Sequence, residues 1–167
     1  LDFTDLQEFY SDFNDYTLTV NAPKNYIVWS TGVLQNPDEV LQPEYARRFK
    51  NSMITDSVTH IATMADLATK NVTAQNAVNS WKWKADYVPD ITFALSDHFV
   101  WDASSVVVDD ATQRRVSAQA AYNDTAFDFH YMAGYITHSL DWLSHNWPGV
   151  PYPYPTMTAF QGYADME

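Results

Sequence analysis

Cysteine is absent from this chain of 167 residues, and glycine is scarce, at 4 residues. The lack of cysteine excludes disulfide bonds, thiolate nucleophiles and zinc sites built on thiolates. Cysteine-free chains are common in the bacterial periplasm, so we expect a periplasmic or secreted bacterial protein, with the cytoplasm as the alternative. No apolar run approaches the ~20 residues of a membrane-spanning helix, which predicts that the chain has no membrane span.

Basic residues are also few. The chain has 9 Lys+Arg against 21 Asp+Glu, for a formal net charge of -12. A field of this sign repels phosphate backbones, so nucleic acid is not an expected partner. It favours a cationic partner such as the amino terminus of a peptide, although solubility alone also explains it. The first residues lack the charged and then apolar segments of a signal peptide, so we expect any leader upstream of Leu1.

Aromatic residues make up 16% of the chain, as is typical of sheet packing and of peptide or carbohydrate grooves. Trp81, Trp83 and Ala85 alternate with charged residues, which predicts a half-buried antiparallel strand. The first half of the chain contains further strand-like segments bounded by turn residues. These predict strands at 16–20, 26–31, 56–61 and 91–96, and a turn at 21–25 that joins the first two as an antiparallel pair.

Two short helices are predicted among these strands. Pro43 suits the first position of a helix, and apolar residues follow it at helical spacing as far as Met53. Thr63-x-x-Asp66 matches a capping box and predicts a second short helix that ends near Asn71.

The second half predicts a hairpin, one long helix and a final strand. Thr125-x-x-Asp128 is expected to cap a helix that opens at 123–124, and Pro148-Gly149 to end it. The predicted strands are 104–108, 115–121 and 156–162. The helix carries an apolar stripe of Ala126, Phe129, Met132, Ala133, Ile136, Leu140, Leu143 and Trp147. We therefore predict an α+β fold, with an antiparallel β lobe at 1–97 and the hairpin, helix and edge strand at 98–167.

No His-Glu-x-x-His motif occurs in the chain. His138, Asp141 and His145 lie at i, i+3 and i+7 of the long helix, a spacing that would allow a metal site. A surface pair between Asp141 and His145 at i, i+4 is the preferred interpretation. The other histidines, His60, His98 and His130, have no partner pattern and are expected to be structural.

Several stretches, taken in order, resemble the aminopeptidase N family of zinc metallopeptidases, which are of the gluzincin type. Residues 81–96, Trp-Lys-Trp-Lys-Ala-Asp-Tyr-Val-Pro-Asp-Ile-Thr-Phe-Ala-Leu-Ser, and the region 16–35 look like that family's saddle-shaped β domain. The long helix and Pro151-Tyr-Pro-Tyr-Pro-Thr-Met-Thr158 are similar to its helix, linker and strand. The resemblance implies that 1–97 is the end of a β domain. It also implies that 98–167 is the start of a thermolysin-like catalytic domain, truncated before the zinc motif.

The last six residues, Gly162-Tyr-Ala-Asp-Met-Glu167, resemble the family's exopeptidase signature Gly-x-Met-Glu-Asn. The resemblance makes Glu167 the acid that binds the substrate's α-ammonium group, since a desolvated ammonium needs a carboxylate partner. The preceding residues would pair with the substrate backbone as an added strand. This chain departs from the signature in its wider spacing between Gly and Met, and the final position of the signature lies beyond Glu167. The implied substrate-binding residues are Gly162, Tyr163, Ala164, Asp165, Met166 and Glu167.

The resemblance also implies what this chain does not contain. The family's zinc ligands, its general base and its oxyanion-stabilising tyrosine all lie downstream, so no catalytic residue and no zinc ligand is expected here. The parent protein is predicted to be a zinc aminopeptidase acting on peptides with a free amino terminus, and this chain alone to be inactive. The alternatives are a non-catalytic peptide-binding relative and a carbohydrate-binding β module. We also expect exposed apolar surface around the long helix and Phe160, which dimerisation of the chain would cover.

Overall fold

The computed structural model describes residues 12–162, and its elements confirm the predicted mixed α+β class. The strands are mostly antiparallel, and the longest helix has 14 residues. The strands are β1 (Asn14–Pro23), β2 (Ile27–Ser30), β3 (Val33–Leu34), β4 (Thr59–Ala62), β5 (Val78–Val88), β6 (Phe93–Ser96), β7 (Val100–Asp109), β8 (Arg114–Tyr122) and β9 (Thr156–Phe160). The helices are α1 (Pro37–Val40), α2 (Pro43–Ser52), α3 (Met64–Ala68), the 3-10 helix Phe127–Tyr131 and α4 (Met132–His145).

The strands between residues 12 and 162 form three sheets. Their orders are β1-β5-β3, β2-β6 and β4-β7-β8-β9. Every pair is antiparallel except β8 and β9, which run parallel from Ser117↔Thr156 to Ala121↔Phe160. Because β9 returns to β8 after α4, it forms the edge of the four-stranded sheet.

The predicted pairing of the first two strands is wrong. β1 pairs with β5, whereas β2 pairs with β6 in a separate ribbon. The predicted turn is also shorter than expected, because β1 continues to Pro23. Asn25 then adopts a left-handed conformation with φ 71, and its backbone N–H donates to Thr73 Oγ1 at 2.8 Å. The chain is thereby directed into the interior, where all four residues of β2 are buried.

The core is built on four tryptophans. Trp29, Trp81, Trp83 and Trp101 are each at most 2% exposed and belong to one apolar cluster. Alternation along β5 is as predicted, with its tryptophans inward and its lysines outward. The cluster contains residues from both sides of position 97, and β4 lies in the same sheet as β7, β8 and β9. The domain boundary at 97, with its assignment of 1–97 and 98–167, stays a prediction.

The long helix begins later than predicted. Thr125 donates its backbone N–H and its hydroxyl to Asn123 Oδ1, at 3.0 and 2.7 Å, and does not cap a helix. This local turn competes with helix capping, and the 3-10 helix follows before α4 begins at Met132. Ala133, Ile136 and Leu140 are buried as predicted.

The predicted stripe is also too long at its C-terminal end, since Leu143 is 45% and Trp147 is 72% exposed. With Phe127, Tyr131 and Tyr135 these residues form the exposed apolar surface expected around the helix. Phe160, in contrast, is half-buried, because it packs against Trp29 and Phe99.

In the stretch 12–162 no helix is both long and apolar enough to cross a bilayer.

The capping box predicted at Thr63 and Asp66 is confirmed at the start of α3. Asp66 also accepts from Arg48 at 2.9 Å and from the Tyr45 hydroxyl at 3.2 Å, which ties α3 to α2. Burial alone raises the pKa of Asp66, but the hydrogen bonds from Thr63 and Arg48 outweigh it, so the pKa lies below its ordinary value. The ionised form is therefore the one that the fold stabilises.

Substitution Asp66→Asn is expected to lower the free energy of unfolding by about 1 to 2 kcal/mol at pH 7. Because the folded-state pKa is depressed, this contribution is present above the unfolded value of about 4 and is lost as pH falls through the folded value. Urea unfolding between pH 7 and pH 3 should therefore show a smaller acid-induced loss in the variant. As a control, Asp38→Asn removes a 68% exposed carboxylate that pairs with Lys50 and should cost under about 1 kcal/mol. Equal losses in both variants would contradict the prediction.

Candidate functional site

A groove with a volume of about 510 Å³ lies where the β2–β6 ribbon, the β5–β6 turn and the segment leading into β9 come together. Each of these parts contributes apolar side chains. The walls include Trp29, Phe93, Tyr152, Tyr154, Met157 and Phe160. A volume of this size falls within the roughly 300 to 1,000 Å³ of ligand-binding clefts.

One side of the groove is the unpaired edge of β9. The Pro155 carbonyl accepts from Ser117 N at 3.0 Å, and Gln161 N donates to the Ala121 carbonyl at 2.9 Å, so both residues direct backbone groups toward β8. Successive residues of a strand direct their backbone groups to opposite edges. The N–H and C=O groups of Thr156, Thr158 and Phe160 therefore point away from β8, and these three residues line the groove. No strand within residues 12–162 pairs with that edge.

Gly32 is part of the groove lining. This residue has φ 93, and its carbonyl accepts from Thr156 Oγ1 at 2.9 Å, which holds the start of β9 against the β2–β3 connection. A Cβ at this position would overlap the Lys84 carbonyl. The glycine is therefore required by both its backbone conformation and the close approach of β5.

The rim of the groove is acidic. Asp86 and Asp90 are the two charged residues in the lining found among the described residues. Lys84 Nζ lies 2.9 Å from Asp86 Oδ1, and its hydrogen bond with that carboxylate raises the pKa of Lys84. Burial raises the pKa of Tyr152, which keeps its phenol neutral near pH 7. The groove thus combines aromatic walls, an acidic rim and unsatisfied strand edges.

The predicted substrate-binding residues begin where β9 ends. Gly162 is exposed, two residues after Phe160. The chain just before it is fixed, since Gln161 Oε1 accepts from Asn123 N at 2.7 Å. The other predicted residues, Tyr163, Ala164, Asp165, Met166 and Glu167, lie outside the described residues. Their substrate-binding roles stay predictions.

The three residues of the long helix whose spacing would allow a metal site lie close together in the structure. His138, Asp141 and His145 line a second cavity of about 500 Å³ between α4 and the β7–β8 turn. His145 Nδ1 lies 3.1 Å from Asp141 Oδ1, which is the predicted i, i+4 pair, and its Nε2 lies 3.7 Å from Asp110. A hydrogen bond from His145 to the Asp141 backbone carbonyl, helped by the charges of Asp110 and Asp141, raises the pKa of His145.

These groups do not converge on a metal position. Within residues 12–162 no three His, Asp or Glu side chains are arranged to hold a metal ion. The zinc ligands that the family resemblance implies are expected outside this chain, so the finding does not test them and they stay a prediction.

A buried polar network was missed by the sequence reasoning. Asp102, which is 2% exposed, accepts from the Tyr122 hydroxyl at 2.7 Å and lies 2.6 Å from His60 Nδ1. Burial, together with the Asp102 carboxylate, raises the pKa of Tyr122. The three residues come from β7, β8 and β4, so no local pattern could have connected them. All three lie within the four-stranded sheet and outside the groove lining.

The groove itself was also missed, because its walls come from separate parts of the chain. The Pro-Tyr-Pro linker was identified only through the family resemblance, although its tyrosines line the groove. Comparison of the chain with protein-family models, with curated proteins and with solved structures finds no match in any of the three.

Proposed function

We propose that this chain is the substrate-anchoring part of a zinc-dependent aminopeptidase, an exopeptidase that removes amino-terminal residues from peptides. The observation that carries the proposal is the unpaired edge of β9, which borders a groove and leads in sequence into 162–167. An extended peptide can add to such an edge as a further strand. The resemblance of 162–167 to the exopeptidase signature supports the direction of binding, with the peptide's amino terminus at Glu167.

Each part of the chain has a separate task in this proposal. The carboxylate of Glu167 binds the α-ammonium group, which selects free amino termini over blocked ones. The backbone of the preceding residues aligns the peptide, and the net charge of -12 attracts its cationic end. In the resembled family a zinc ion supplies the Lewis acid, and its ligands would lie outside this chain. The chain alone is therefore proposed to bind peptides without cleaving them.

The test compares peptides that differ only at their amino terminus. The 167-residue chain is expected to bind a free-amino peptide about 10- to 100-fold more tightly than its N-acetylated form, because a charge-assisted hydrogen bond is lost on acetylation. Substitution Glu167→Gln should remove this preference. Asp165→Asn, which removes the same charge two residues earlier, should retain it. Calorimetric or NMR titration measures both peptides against the unsubstituted chain and each variant.

Hydrolysis separates the catalytic proposal from the non-catalytic alternative. The product of the whole coding sequence is expected to cleave an amino-acid anilide, and a protein that binds free amino termini without cleaving it would be the peptide-binding relative. Equal binding of free and acetylated peptides would contradict both. Retention on polysaccharide in place of peptide binding would support a carbohydrate-binding β module.

A further inference from the structure

We propose that the groove beside β9 is an additional subsite that takes an aromatic side chain, followed by a basic residue, from the interior of an extended peptide. The peptide's direction rests on the proposed function, while the subsite itself rests on the groove's own geometry. The Glu167 signature concerns the first residue of a peptide. The groove would select residues further along the same peptide.

The apolar walls determine the kind of side chain. Phe93 is 49% exposed and Met157 is 41% exposed, so both present apolar surface to the groove without being covered by the chain itself. Trp29 and Phe160 also line the groove, with their ring centroids 5.7 Å apart. An aromatic side chain placed among these groups would remove apolar surface from water and could pack against aromatic rings.

The strand edge determines that the occupant is a peptide. Thr156, Thr158 and Phe160 line the groove, and their backbone donors and acceptors point away from β8 at the spacing of a β ladder. A peptide backbone satisfies these groups in alternation, and its side chains at every second position then face the same way. A sugar ring or an acyl chain offers no such repeat of amide groups.

The rim determines the charge of the neighbouring residue. Asp86 and Asp90 border the groove; Lys84 pairs with Asp86 at 2.9 Å, whereas no lysine or arginine within residues 12–162 pairs with Asp90. A lysine or arginine next to the aromatic residue would lie near these carboxylates, whereas an acidic residue would be repelled. The preferred peptide therefore carries an aromatic residue followed by a basic one.

The sequence limits where this pair falls in the peptide. Glu167 is seven residues after Phe160, and an extended chain rises about 3.3 Å per residue, so the two are separated by at most about 23 Å. A substrate whose first residue lies at Glu167 and which runs back along the strand crosses that distance in seven steps. The substrate therefore reaches the end of β9 at about its eighth residue or earlier.

The experiment moves one Phe-Lys pair through a neutral twelve-residue host peptide, from position 3 to position 11. Binding to the 167-residue chain is measured by calorimetry, with the Ala-Ala peptide as reference. We expect about tenfold tighter binding at one or two adjacent positions and none of this gain elsewhere. N-methylation of the peptide backbone next to the favoured position should remove the gain. A flat profile along the peptide would overturn the proposal.

Variants of the chain identify the surface involved. Phe93→Ala should abolish the positional gain, whereas Leu95→Ala should leave it, because Leu95 lies on the same strand, is 40% exposed and is not part of the lining. Asp90→Lys changes an exposed rim residue, so it should not affect folding, and should shift the preference from Phe-Lys toward Phe-Glu. Equal effects of Phe93→Ala and Leu95→Ala, or an unchanged charge preference in Asp90→Lys, would contradict the assignment.

Acetylated versions of the same peptides separate this inference from the proposed function. If the proposed function is wrong but the subsite exists, acetylation changes nothing and the dependence on Phe-Lys remains. If the subsite is wrong but the function is right, free amino termini are preferred and the position of Phe-Lys has no effect.

Discussion

Replacement of Gly32 by alanine is expected to lower the free energy of unfolding by about 3 kcal/mol or more. Two penalties combine at this position. The backbone φ of 93 is unfavourable for any residue with a Cβ, and the added methyl group would overlap the Lys84 carbonyl of β5. β3 would have to move away from β5, and the bond between the Gly32 carbonyl and Thr156 would be disturbed with it. Urea unfolding at pH 7 measures the loss.

Gly134→Ala is the matched control for this variant. Gly134 lies inside α4, and a Cβ built on it meets nothing within 4 Å. Alanine is favoured over glycine in a helix interior, so this variant should gain about 0.5 to 1 kcal/mol. The same substitution would then have opposite signs at two sites. A loss of less than about 1 kcal/mol for Gly32→Ala would show that β3 and β5 do not approach as closely as described.

Trp101→Ala is expected to destabilise the protein by about 3 to 5 kcal/mol, a large part of the stability of a domain this size. Trp101 is 0% exposed, and its ring lies 5.8 Å from Trp29 and 5.2 Å from Phe49 between ring centroids. Its removal would leave a cavity at the junction of the sheets. It would also remove the indole donor that bonds Gln119 Oε1 at 3.1 Å, leaving a buried acceptor unpaired.

The control is another tryptophan in a different environment. Trp142 lies on α4 and is 46% exposed, so Trp142→Ala should cost about 1 kcal/mol or less. Both variants are measured by urea unfolding followed by circular dichroism, because that signal does not depend on the number of tryptophans. Similar losses in the two variants would place Trp101 outside the core, against the packing described.

Local sequence patterns predicted most of the individual elements. β5 was predicted because Trp81, Trp83 and Ala85 keep a strict two-residue period, and those three side chains are buried. α2 was predicted because Pro43 starts a helical spacing that nothing interrupts. In both elements the signal and the structure depend on the same few neighbouring residues.

Pairings between distant strands could not be predicted in this way. The turn at 21–25 favoured a hairpin, but β2 pairs with β6 and β1 pairs with β5, which are both distant in sequence. The parallel arrangement of β8 and β9 depends on α4 crossing between them, which periodicity does not reveal. At the start of the long helix, the Asx turn at Asn123 and a capping box use the same residue types. The sequence therefore predicted the capping box, whereas the chain forms the turn at Asn123.

The candidate site likewise has one part that the sequence could predict and one part that it could not. The signature at 162–167 is contiguous, so a resemblance could identify it from sequence alone. The groove needs Gly32, Phe93 and Thr156 to lie together, and these residues are spread across most of the chain. Only the folded chain shows that a segment resembling an exopeptidase signature follows a strand with a groove at its edge.

The hydrogen bond between Thr156 and Gly32 has a consequence for the order in which the molecule is assembled. It joins residues separated by 124 positions, so it closes a very long loop of chain. Contacts between residues so far apart in sequence are expected to form after the local hairpins and helices, because those elements shorten the loop that remains to be closed. We therefore expect the groove to be completed late, because a chain emerging from the ribosome lacks one wall of it until the residues from Tyr152 to Phe160 have been synthesised.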